Sequence, residues 1–67
     1  MAVLKVIELL ASSEKSWEDA AQNAVKMAAK TVKEIRSVYV QDMSATVKKD
    51  KIIEFRVNAK ITFEVLG

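Results

Sequence analysis

The feature that most constrains this chain is an unbroken alternation over residues 52–65. Odd positions read Ile53, Phe55, Val57, Ala59, Ile61, Phe63 and Val65, and even positions after Ile52 read Glu54, Arg56, Asn58, Lys60, Thr62 and Glu64. A period of two belongs to a β-strand with one apolar and one polar face. Most strands are about five or six residues long. This one runs for about fourteen residues, or ~45 Å at ~3.3 Å per residue. A chain of 67 residues makes at most one domain, here residues 1–67, and buries only about 60% of its unfolded surface. The apolar side of so long a strand must curl tightly around something or be covered by further copies of the chain.

The composition removes several function classes. There is no Cys, so disulfides and thiolate metal sites are excluded, and no His, the commonest general base and zinc ligand. Pro is absent and the single Gly is Gly67, which excludes a glycine-rich phosphate loop. Hydrophobic residues at 51% with 30% charged residues describe a folded chain. A net charge of +2 does not by itself argue for nucleic acid; Lys26, Lys30, Lys33 and Arg36 would be the basic face for such a partner, but carboxylates are dispersed among them and no nucleic-acid partner is expected. No apolar run reaches membrane-spanning length, and the opening Met-Ala-Val-Leu-Lys lacks the apolar region of a secretion signal. No membrane association and a cytoplasmic location are expected. Without His or Cys, catalysis would need a carboxylate pair or an activated Lys, Ser or Tyr, and no spacing singles one out. The chain reads as a binding protein and not as an enzyme.

Before the long strand, residues 2–11 read as a first strand, with Lys5 and Glu8 its only polar positions. Near-continuous apolar character predicts partial burial on both faces. Ser12, Ser13, Glu14 and Lys15 read as a loop. Ser16 reads as a helix N-cap, with Asp19 three residues on. Trp17, Ala20, Ala21, Ala24, Met27, Ala28, Thr31, Val32 and Ile35 recur at three and four residues as one helical stripe. This predicts a helix of about 18 residues, ~27 Å long, with Lys30, Lys33 and Arg36 at its C-terminal end. Residues 37–47 read as a second strand whose alternation changes phase near Gln41 and Asp42, the sign of a bulge. Lys48, Lys49, Asp50 and Lys51 form a polar hairpin turn. The fold class is therefore α+β: a β-α-β-β chain whose three-stranded antiparallel sheet, in order 1-3-2, packs around one helix.

These patterns together resemble the dodecin family. The likeness covers nearly the whole chain and rests on Lys5-Val6-Ile7-Glu8-Leu9, Ser12-Ser13 and Ser16-Trp17-Glu18-Asp19-Ala20-Ala21. It continues through Ala24-Val25, Ala28, Thr31-Val32, Ile35 and the closing Phe63-Glu64-Val65. The resemblance implies a hollow homododecamer that binds or stores a small planar ligand or an ion between subunits. A flavin, FMN or riboflavin, is the first candidate. The helix start Ser16-Trp17-Glu18 and the pair Ile35-Arg36 also resemble a subgroup associated with calcium, which implies a structural or calcium-binding shell as the alternative.

Two departures bear on the ligand. In flavin-binding dodecins a Trp after the helix stacks on the isoalloxazine ring; the matching position here is Ser37. A Gln of the last strand reads the flavin's pyrimidine edge; that position is Arg56. Serine offers no stacking face, and a guanidinium donates but cannot accept. Tyr39, two residues along the same strand face, is the aromatic that could substitute. Ser37, Tyr39 and Arg56 are thus the positional candidates for a cofactor site. Arg56 and Lys60, with Glu54 and Glu64, read otherwise as ion pairs across strands or between subunits. Glu8, Asp42, Glu54 and Glu64 are the carboxylates available to a calcium ion, though no loop has calcium-binding spacing. Trp17 reads as an anchor of the helix on the sheet, and Met27 as packing.

Overall fold

The computed structural model describes residues 2–65. Its elements are β1 (Leu4–Ser13), α1 (Trp17–Ala28), β2 (Ile35–Lys48) and β3 (Lys51–Glu64). The sheet is antiparallel in order β1-β3-β2, with the long alternating strand at its centre. Both outer strands run antiparallel to β3 and hence parallel to each other, with α1 as the crossover between them.

Three boundaries differ from the sequence expectation. Ser12 and Ser13 continue β1 opposite Arg56 and Phe55 instead of forming a loop. Ser13 can end a strand because its hydroxyl is satisfied there: it donates to Asp19 Oδ2 at 2.6 Å and accepts from the Lys15 backbone N–H at 2.9 Å. The helix begins as predicted, with Ser16 Oγ accepting from the Asp19 N–H at 2.9 Å, but it stops at Ala28. The backbone N–H groups of Thr31 and Val32 both reach back to the Ala28 carbonyl, closing the helix end. Thr31, Val32 and Ile35 therefore lie outside α1. β-Branched residues are weak helix formers, and Ile35 instead pairs with Phe63 as the first residue of β2. Glu34, at φ 59, makes the left-handed corner between the crossing segment and the strand. The predicted bulge is present, with a register shift between Val40 and Asp42.

The odd face of β3 meets the helix. Val57, Ala59 and Ile61 are buried beneath Ala20, Ala24 and Ala28, and Leu9, Ala11, Trp17 and Val40 close the sides. Alanine lets the helix axis come close to the sheet but leaves its flanks unfilled. One groove of about 190 Å³ runs past Trp17, Ala21, Val40 and Met43, and one of about 240 Å³ past Leu9, Leu10, Ala24 and Met27. Met27 is accordingly 59% exposed at the edge of a groove, where the stripe predicted packing. Trp17 is the anchor expected of it. Its indole N–H donates to the Ser44 carbonyl at 2.9 Å, and its ring meets Phe55 edge-on at 4.7 Å.

A 12-residue helix spans only ~18 Å, whereas 14-residue strands span ~46 Å. The β2–β3 hairpin therefore projects well beyond the helix, with Met43, Val47, Ile52 and Ile53 exposed along it. The molecule measures 51 × 19 × 13 Å. Its radius of gyration of 13.6 Å exceeds the ~11 Å of a compact chain this long. Its accessible surface is 5199 Å², against about 4,200 Å² for a compact monomer of its mass, an excess of roughly 1,000 Å².

Candidate functional site

Among the described residues no element covers the sheet face turned away from the helix. Its central row is the even side of β3: Glu54, Arg56, Asn58, Lys60, Thr62 and Glu64. The cross-strand register fixes its neighbours. From β1, Leu4, Val6, Glu8, Leu10 and Ser12 lie opposite Glu64, Thr62, Lys60, Asn58 and Arg56. From β2, Ser37, Tyr39, Asp42, Ser44 and Thr46 lie opposite Thr62, Lys60, Asn58, Arg56 and Glu54. A polar ridge thus runs between an apolar edge of Leu4, Val6 and Leu10, all more than half exposed, and an edge bearing the Tyr39 ring, 63% exposed.

The sequence-predicted positions fall on this one face but not at one place. Ser37 and Tyr39 are neighbours on β2, opposite Thr62 and Lys60. Arg56 lies six residues from Thr62 along β3, about 20 Å away. Tyr39, opposite Lys60, is nearer, about 13 Å from Arg56, so within one chain it is Ser37 and Arg56 that are too far apart to touch one small molecule. A site using both ends needs Ser37 and Tyr39 from one copy and Arg56 from another.

The electrostatics of the face are open-ended. Among the described residues neither Arg56 nor Lys60 has a carboxylate within 4.0 Å, so the expected ion pairs across the strands are not formed within the chain. Glu64 turns instead to Arg36, at 2.9 Å, and Arg36 also lies 3.3 Å from Glu34. Glu54 accepts from the Thr46 hydroxyl at 3.4 Å. The four candidate calcium carboxylates, Glu8, Asp42, Glu54 and Glu64, share the face, yet among the described residues no three carboxylates gather closely enough to hold a metal. Calcium needs about six to eight oxygens, so such a site would also have to draw on several copies.

Two members of this face were not singled out from the sequence. Asn58 Oδ1 is buried without a hydrogen-bond donor, the one such side-chain atom among the described residues. Leu10, 73% exposed, stands opposite Asn58 across the strand pair. The even-position alternation of β3 carries the signal for Asn58. Leu10 is hidden by the continuous apolar run of β1, which has no phase of its own and takes one only from pairing with β3.

Comparison with known proteins agrees with the geometry. The dodecin family model matches residues 3–66. The calcium dodecin of Mycobacterium tuberculosis is 34% identical over 65 residues, covering 97% of this chain and 92% of that protein. Among solved structures, a mutant of the T. thermophilus dodecin superposes with a TM-score of 0.94 at 27% identity, covering 100% of both chains. The calcium-chelating antigen of M. tuberculosis, a calcium dodecin described with a novel calcium-binding site, gives 0.82 at 33% identity, with 96% of this chain and 91% of that one covered. No helix among the described residues is long and apolar enough to cross a membrane. The β-α-β-β order, the 1-3-2 sheet and the family match over nearly every residue lead to one conclusion: this chain belongs to the dodecin family.

Proposed function

We propose that the chain assembles into a homododecamer that holds a small planar ligand between subunits and does not turn it over: a binding or storage protein, not an enzyme. The observation that carries the reading is the excess accessible surface of roughly 1,000 Å², close to the ~800 Å² that each partner contributes to a standard interface. Exposed apolar side chains stand on both sides of the sheet, Leu4, Val6 and Leu10 on one and Met43 on the other, with Val47 and Ile53 along the projecting hairpin.

A flavin is the first ligand in this reading. Tyr39 of one copy offers the aromatic face beside Ser37, and Arg56 of another offers a guanidinium with no carboxylate within 4.0 Å among the described residues. Neither FMN nor riboflavin needs His or Cys for binding. The cytoplasmic location goes with the reading and rests on the sequence expectation alone. The test is titration of FMN and riboflavin into the purified assembly, followed by flavin fluorescence. Quenching at roughly micromolar protein, weakened about tenfold by Tyr39→Ala or Arg56→Ala, is expected. Unquenched flavin at that concentration removes this ligand and leaves the fold untouched.

The alternative is a calcium-binding shell, favoured by the 34% identity to the calcium dodecin and by four carboxylates on one sheet face. Metal analysis and melting with and without a chelator separate the readings. A melting point unmoved by calcium depletion counts against the shell.

A further inference from the structure

At the end of the sheet remote from the hairpin, β1 and β3 continue after the helix has stopped. Lys5 lies opposite Phe63 there, while α1 ends at Ala28 and the chain crosses toward β2 without covering the sheet. What remains is a groove of about 360 Å³, within the usual range for ligand pockets. Val32, Phe63 and Val65 give it apolar walls, and Lys5 and Lys33 stand in its lining. Among the described residues neither ammonium has a carboxylate within 4.0 Å. Glu64, also in the lining, is held by Arg36 at 2.9 Å. The Thr31 hydroxyl donates to the Ala28 carbonyl, which leaves the two lysines as the cationic groups of the lining.

Lys5 opens the inward series of β1, which continues with the apolar Ile7, Leu9 and Ala11 before it ends on Ser13. Lys5 and Lys33 are exposed at the rim of the groove, on the helix side of the sheet beside half-buried Phe63, and can present two ammonium groups to an anion seated against the apolar walls. We propose that this groove binds a small apolar carboxylate, its acid group between Lys5 and Lys33 and its hydrocarbon against Val32, Phe63 and Val65. A monoanion suits these walls better than a phosphate, because moving a dianion onto apolar surface costs more hydration. The groove lies on the opposite side of the sheet from Tyr39 and Arg56, so this site is independent of the flavin reading.

The test uses the assembled protein with octanoate as the probe and octan-1-ol as its neutral counterpart, by calorimetry. Octanoate binds about tenfold more tightly than the alcohol, and Lys33→Gln or Lys5→Gln removes most of that difference. Lys33 lies outside helix and strand, so its variant keeps the fold if Lys5→Gln does not. A diazirine-bearing octanoate labels Lys5 and residues 31–33 and 63–65. Equal affinity for acid and alcohol, absence of octanoate binding because a second copy covers the groove, or labelling centred on Trp17 and Met43 each overturns the proposal.

Discussion

Ser13 links the first strand to the helix through a single hydroxyl. It is 8% exposed, donates to Asp19 Oδ2 and accepts from the Lys15 N–H, while the Asp19 N–H is capped by Ser16. Replacing it with Ala leaves a carboxylate oxygen and a backbone N–H without this partner at the helix start. Ser13→Ala should cost about 1–2 kcal/mol, read as a lowered denaturant midpoint with unchanged slope. Asn58 is the opposite case, a buried acceptor that nothing satisfies. Asn58→Val removes that acceptor and adds a β-branched side chain to a central strand. It should stabilise the protein by about 1 kcal/mol in thermal melts.

At the scale of elements, the β2–β3 hairpin turns on Lys49 and Asp50, with φ of 53° and 63°. Both central residues are left-handed, as a two-residue hairpin matched to strand twist requires, yet neither is Gly. Asp50→Gly should raise stability by about 0.5–1 kcal/mol, the relief of left-handed strain less glycine's added entropy in the unfolded chain. An unchanged midpoint would mean that Asp50 carries no such strain. The hairpin and the central strand were legible in the sequence because alternation and a polar break are local signals. The end of the helix was not. Thr31, Val32 and Ile35 keep the helical spacing, and only pairing of Ile35 with Phe63 draws the chain into β2. Ser12 and Ser13 hid the end of β1 in the same way, since serine reads as loop until Asp19 is brought beside it. The candidate site was half legible. The even face of β3 named Arg56, but the ~20 Å between Arg56 and Ser37 follows from register, which no local pattern encodes.

At the scale of the whole molecule, the overhanging hairpin governs behaviour. Ile53 is 46% exposed on an arm that the helix does not reach. A charge placed there leaves the isolated fold almost untouched but opposes any apolar partner. Ile53→Asp should lower the mass measured by light scattering from a multiple of 7.5 kDa toward one chain while the circular dichroism of the sheet persists. Retention of full mass would place the contacts elsewhere.

The three irregularities in the β2 register have a further consequence. Two of them, at Arg36 and Gln41, insert a residue into β2 itself and kink that outer strand, so its free backbone groups present a broken template; the third inserts Ile53 into β3. β1 pairs with β3 without a shift over its ten residues, and its free side stays straight. Two newly made chains that meet before docking would add to one another along β1, so Lys5 and Glu8 act as gatekeepers against fibril growth at the one border where it can begin.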